Sequence, residues 1–177
     1  MDLKLKREEM VETLLKSYYA YYDITMAEEE QRPLVARCDY FERSQKYVLS
    51  KKAELWSANC EEFLYLFTVP HLTQEIYRKC ETLVYEDGMK RLHIGPGHMY
   101  SYITAVIICD SCDEDAARAL KKSRIHKSFH FSLHGWMDYH AAAVLADDGR
   151  ILTNAAGRCV VKTLKKVLFD QKGKRRE

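Results

Sequence analysis

Residues 99–115 read Met99-Tyr-Ser-Tyr-Ile-Thr-Ala-Val-Ile-Ile-Cys109-Asp-Ser-Cys-Asp-Glu-Asp115. The first eleven are mostly apolar on both alternating sets, which predicts a strand covered on both faces at the centre of a sheet. The chemistry then changes abruptly. Ser111-Cys-Asp-Glu114 reads as a capping box, with Ser111 accepting from the third backbone N–H and Glu114 reaching back. Asp113, Glu114 and Asp115 open the segment and Lys121, Lys122 and Arg124 close it, each favouring the nearby end of a helix dipole. A central strand running directly into a helix is the first half of a crossover.

Residues 126–134, His126-Lys-Ser-Phe-His-Phe-Ser-Leu-His134, supply its expected second half. At period 2 they predict a half-buried strand, with Phe129, Phe131 and Leu133 on the core and His126, Ser128, His130, Ser132 and His134 turned outward. Strand 99–109, helix 112–124 and strand 127–134 then form a βαβ unit. Further on, Asp147-Asp-Gly149 folds residues 139–146 onto 150–154 as a hairpin. A last amphipathic helix over 159–170 uses Val160, Val161, Leu164, Val167 and Leu168.

Upstream, Met10, Val11, Leu14, Leu15, Tyr18, Tyr19 and Tyr22 fall at helical spacing within 3–22. Glu28–Pro33 is a charged linker closed by proline, and strand patterns follow at 35–41, 45–50, 53–58 and 62–69. A second helix is expected over 72–91, then the loop Ile94-Gly-Pro-Gly-His98. The whole predicts one α+β domain over residues 1–170, with a mixed β-sheet of about six to eight strands flanked by about four helices. The amphipathic helix within 1–24 packs on it, and residues 171–177 are read as a basic, disordered tail.

Composition narrows the class. No window approaches the ~18 uninterrupted apolar residues of a membrane span, and no membrane partner is expected. The charged start, Met-Asp-Leu-Lys-Leu-Lys-Arg, lacks the apolar core of a signal peptide, and six cysteines without such a signal read as reduced thiols in a cytoplasm. Net charge is −6 over residues 1–120 and +8 over 121–177. The basic half is a candidate surface for an anionic ligand or a protein partner, and the Tyr18–Tyr22 run is a candidate for self-association into a homo-oligomer.

The chemistry-bearing residues cluster around strand 99–109. His98, Asp110, Ser111, His126, His130, His134 and Asp138 are the candidate ligand-binding set, with His130 foremost because imidazole titrates near neutrality. Residues i and i+4 on a strand lie ~13 Å apart, so the histidines alone cannot chelate zinc at ~2 Å. No metal set and no cofactor are assigned. Cys109-Asp-Ser-Cys112 resembles the strand-to-helix C-x-x-C of thioredoxin-type oxidoreductases, which implies a lowered thiol pKa at Cys112. The order helix, three strands, helix, strand over about 110 residues resembles the core of restriction-endonuclease-like proteins. That resemblance implies Mg²⁺-dependent hydrolysis by an acid on one strand and an Asp/Glu-x-Lys on the next. Asp39, Glu42 and Glu54 lie in that region beside Lys51 and Lys52, but Glu54 is followed by Leu55-Trp56 and Glu62 by Phe63-Leu64, so the tripeptide is absent. The primary expectation is a ligand- or partner-binding module with a His/Ser-lined sheet face; the alternative is a metal-dependent hydrolase or nuclease.

Overall fold

The computed structural model describes residues 3–47 and 54–170, with side chains over 6–42 and 59–170. Four helices flank a mixed seven-stranded sheet in a single α+β unit. The basic tail at 171–177, Lys51 and Lys52, and the side chains of Glu54 and Trp56 lie outside the described residues.

Helix α1 (Leu3–Tyr18) places Arg7, Met10, Leu14 and Tyr18 on one buried stripe. It stops four residues before its expected end, and the chain becomes a short edge strand β1 (Asp23–Met26). Strands β2 (Leu34–Tyr47) and β3 (Glu54–Leu72) form one long antiparallel hairpin where four shorter strands were expected. Residues 42–44 and 59–61, between the expected strands, look like loops in composition. They nevertheless pair rung for rung, from Phe41↔Glu61 to Lys46↔Trp56, because backbone hydrogen bonding does not need an apolar side chain. Strand β3 also runs past Pro70 to Leu72. Thr73 then caps helix α2 (Gln74–Arg91) by accepting from Ile76 N at 3.2 Å.

Strand β4 (His98–Cys112) lies parallel to β3 at the sheet centre, as its two apolar faces require. The capping box does not form. Ser111 and Cys112 stay in the strand, Asp113 is the N-cap of helix α3 (Glu114–Lys122), and its side chain makes no capping bond. The acid-to-base polarity of α3 is present, with Glu114 and Asp115 in the first turn and Lys121 and Lys122 in the last.

The crossover ends elsewhere than expected. Strand β5 covers only His126–Ser128, and it pairs antiparallel with β6 (Trp136–Leu145), which is the strand parallel to β4. Because Ser128 faces Trp136, residues 129–135 are the hairpin connection itself. His130, Phe131 and Ser132 all have positive φ, at 47°, 52° and 67°, a conformation costing roughly 1–2 kcal/mol per non-glycine residue. Phe129 packs on the core, but Phe131 is 96% and Leu133 72% exposed. The alternating pattern therefore overstates the strand by six residues.

Strand β7 (Ile151–Thr153) folds back on β6 across the expected turn, with Gly149 at φ 73°. Helix α4 (Arg158–Leu168) follows. The sheet order is β1-β2-β3-β4-β6-β5, with β7 also on β6. Phe63, Tyr65, Ile103, Ile107, Tyr139 and Ala143 face α2 and α3. Leu64, Leu66, Val106, Ile108, Ala142 and Val144 face α1 and α4.

Candidate functional site

The seven residues read from sequence do not form one site. His98 opens β4, whereas Asp110 and Ser111 lie near its other end, twelve and thirteen residues away, roughly 40 Å along a strand. Asp110 is tied to Arg7 of α1. Ser111 Oγ lies 2.7 Å from His71 Nδ1, whose Nε2 is 2.8 Å from Asp113 Oδ1. That Ser–His–Asp chain is open to solvent and stands beside the further carboxylates Glu114 and Asp115, whose charge opposes an oxyanion. His130 and His134 stack at 4.9 Å in the turn, away from the sheet face. His126 Nδ1 meets Asp138 Oδ1 at 2.7 Å, so these two alone join as side chains on a common face.

Register shows what surrounds them. Residues opposite one another in paired strands share a face, and one row reads Tyr40, Glu62, Tyr102, Asp138, His126 across five strands. The next reads Glu42, Cys60, Tyr100, Trp136, Ser128. Above them Cys38, Leu64, Thr104 and His140 pass under α1 and α4. Rings run along this face, with Trp136 to Tyr100 at 5.9 Å, Tyr100 to Tyr102 at 4.9 Å and Tyr102 to His140 at 4.4 Å. A second run, Tyr18–Tyr22–Tyr40, closes the other side at 5.3 and 6.0 Å.

Between the two runs, where β3, β4 and β6 meet α1 and α4, lies a cavity of about 210 Å³. Tyr18, Tyr22, Tyr102, His140 and Cys159 wall it, Glu62 is its acid, and among the described residues no lysine or arginine lines it. Glu62 accepts one hydroxyl on each oxygen, Tyr22 Oη and Thr104 Oγ1, both at 2.7 Å. Each carboxylate oxygen keeps a further lone pair. Burial, and then the Glu62 charge, push the Tyr22 phenol far above its ordinary range, so it remains a donor. Burial lowers the His140 pKa, opposed by Asp138, and leaves the ring neutral. Cys159 Sγ sits 3.9 Å from His140 Nδ1 near the start of α4, but burial and Glu62 raise its pKa. A neutral imidazole beside a protonated thiol is not a nucleophilic pair.

The opposite face carries a second acid at the same level. Glu61, 5% exposed, accepts from Ser101 Oγ at 2.7 Å and His93 N at 3.1 Å, and meets His93 Nδ1 at 2.9 Å. His98 Nε2 lies 2.7 Å from Ser101 Oγ, and its Nδ1 donates to the His134 carbonyl at 2.6 Å. These bonds fasten the loop before β4 and the 129–135 turn to β3. Glu61 is buried and meets three protein groups, which marks it as a tie, whereas Glu62 meets two and lines a cavity, with a lone pair on each oxygen left for a ligand.

The candidate ligand-binding set read from sequence left out Glu61, Glu62, Ser101, Tyr102 and His140. Their signal was the pair Glu61-Glu62 heading an apolar strand: neighbours on a strand face opposite ways, so each face receives one buried-edge carboxylate. The activated thiol that the thioredoxin-type resemblance implies at Cys112 is not present. Cys109 is in the core with its pKa pushed up to about 12 by burial, and Cys112 is the last strand residue, its pKa raised by burial and Asp113. Neither thiol is activated.

No curated protein and no solved structure matches the chain. A family model matches residues 6–166, which takes in all seven strands, α2 and α3 and most of α1 and α4, and the chain belongs to the family described as Domain of unknown function (DUF8052).

Proposed function

We propose that the protein is a ligand-binding module whose α1/α4 sheet face takes a small organic cation of the alkylammonium class in the Glu62 cavity. One observation carries the reading: a carboxylate with open lone pairs sits among tyrosine faces, and among the described residues no lysine or arginine lines the cavity to neutralise it. Aromatic faces attract cations by roughly 0.5–2 kcal/mol each when desolvated, and a carboxylate at close range adds direction. Asp138 and Glu42 on the same rows add negative potential outside the cavity, which favours a cation there over an anionic ligand. Binding rather than catalysis fits the neutral His140 and the protonated Cys159. Free thiols at all six cysteines suit a reducing cytoplasm.

The metal-dependent hydrolase has less support. Asp39 faces α2, where it binds Arg91, while Glu42 lies on the opposite face of β2. The two acids that the resemblance would pair therefore do not converge. Among the described residues no group of three or more His, Cys, Asp or Glu is placed to hold a metal.

Calorimetric titration with tetramethylammonium, against its neutral isostere tert-butanol, tests the proposal. The cation should bind and the alcohol should not, and Glu62→Gln should abolish the difference. Equal behaviour of the two probes, or binding that survives Glu62→Gln, would overturn it.

A further inference from the structure

His140 differs from the other histidines that the fold holds in place. His71, His93 and His126 each meet a carboxylate at 2.7–2.9 Å, and His98 is held between the His134 carbonyl and Ser101. His140 is 3% exposed, and its hydrogen-bonding contact among the described residues is the long one from Nδ1 to Cys159 Sγ at 3.9 Å. No described carboxylate lies within hydrogen-bond distance to fix its charge, since Glu62 takes the hydroxyls of Tyr22 and Thr104 instead. The wall that this ring forms is that of the Glu62 cavity.

The groups packed around the ring make it the charge that can change. Strand β3 brings Glu62, β4 brings Tyr102 in ring contact at 4.4 Å, and β6 brings Asp138. Helix α1 brings Tyr18 and Tyr22, and α4 brings Cys159. Burial raises the pKa of all three phenols and of the thiol, so these four keep their protons around neutrality. The basic residues of α4, Arg158, Lys162, Lys165 and Lys166, are exposed and do not line the cavity. Two carboxylates and one imidazole are left to set the charge inside. Burial lowers the His140 pKa against the pull of Asp138, so the ring is neutral at neutral pH and gains its proton on acidification.

A protonated ring places a cation against the Tyr102 face and in the same cavity as Glu62, the two groups that an alkylammonium would use. Two unit charges roughly 7 Å apart, about the width of a 210 Å³ cavity, oppose one another by roughly 50-fold in affinity at an effective dielectric constant of about 20. Resting on the cation reading of this cavity, we propose that His140 is its proton gate: the imidazolium and a bound alkylammonium exclude one another, so the ligand is held at neutral pH and released on acidification. The coupling is reciprocal, and the ligand opposes the proton by the factor by which the proton opposes the ligand.

Two measurements with tetramethylammonium test the gate. Proton NMR of the wild-type chain follows the His140 ring through an acid titration, alone and with saturating cation. Its midpoint should fall by about one pH unit or more with tetramethylammonium, which is the tenfold coupling, and stay in place with tert-butanol. Calorimetry of wild type and His140→Gln from pH 8 downward should show the wild-type affinity falling at least about tenfold further than the variant's, whose remaining loss comes from Glu62. Because His140 lines the cavity, the ratio between pH values is read and not the affinity at one pH. Absence of tetramethylammonium binding at pH 8 would overturn the cavity reading and the gate with it. Binding at pH 8 with an unmoved His140 midpoint, a parallel loss of affinity in the two proteins, or a ring that stays neutral until the chain unfolds would overturn the gate alone.

Discussion

Asn154→Ala should be among the most damaging single changes in this chain. Asn154 is 1% exposed and satisfies four backbone groups from three segments. Its Oδ1 accepts from Ala141 N at 3.0 Å and Gly157 N at 2.8 Å, and its Nδ2 donates to Tyr139 O at 2.9 Å and Ser123 O at 3.3 Å. Strand β6, the end of α3 and the start of α4 are all joined through one amide. Each buried group left without a partner costs about 1–3 kcal/mol. Counting the three shorter bonds and allowing some relaxation, the loss is about 3–6 kcal/mol, against a total stability of roughly 5–15 kcal/mol for a domain. Chemical denaturation with the slope unchanged would measure it. Asn154→Asp provides a second reading: it keeps both acceptances but turns an anionic oxygen toward two carbonyls, which raises the folded pKa of the new carboxyl. Its stability is then greatest below the unfolded value near 3.9 and lost as pH rises, so the variant should fall further below wild type at pH 7 than at pH 4. A cost under about 1 kcal/mol for Asn154→Ala, or an Asn154→Asp deficit independent of pH, would refute this account of how α4 is positioned.

Three further outcomes follow from named contacts. Burial depresses the His140 pKa below its ordinary 6.5, so its contribution is present above that value and lost as pH falls beneath it; His140→Phe should flatten that part of the acid unfolding profile. Gly135→Ala forces φ 70° on a Cβ that would meet the Met99 carbonyl and His98 Nδ1, and should cost roughly 3 kcal/mol or more, whereas Gly95→Ala, with open space around it, should be near neutral by thermal unfolding. Native alkylation followed by mass spectrometry should label the exposed Cys159 in the folded state and leave Cys38, Cys80 and Cys109 unmodified until unfolding, because those three are buried and burial pushes their thiols up to about 12.

What the sequence made legible was the part governed by burial on both faces. Strands β3 and β4, the polarity of α3, the Asp147–Gly149 turn and α4 all follow from local apolar runs and end charges. The histidine segment failed for a physical reason. Alternation marks side chains that would suit a strand, but a strand exists only where a neighbour pairs with it, and β6 claims just His126–Ser128 before the chain reverses. Ser111 failed as a cap because His71, on the adjacent strand, takes its hydroxyl. Asp110, Ser111 and His98 looked close because they share one strand, yet a strand separates its ends more than any other element. The Glu62 cavity was invisible because its walls come from α1, β3, β4, β6 and α4, and nothing local announces that Tyr22, Tyr102 and His140 will converge.

The most direct measurement is nuclear Overhauser contact between bound tetramethylammonium and the tyrosine rings. Transfer from the ligand methyls to Tyr22 and Tyr102 ring protons, with upfield ring-current shifts that vanish in Glu62→Gln, is the predicted result. Contacts confined to Tyr19 and Tyr21, the outward pair of the same run, or shifts unchanged by Glu62→Gln, would contradict a cation seat at this carboxylate.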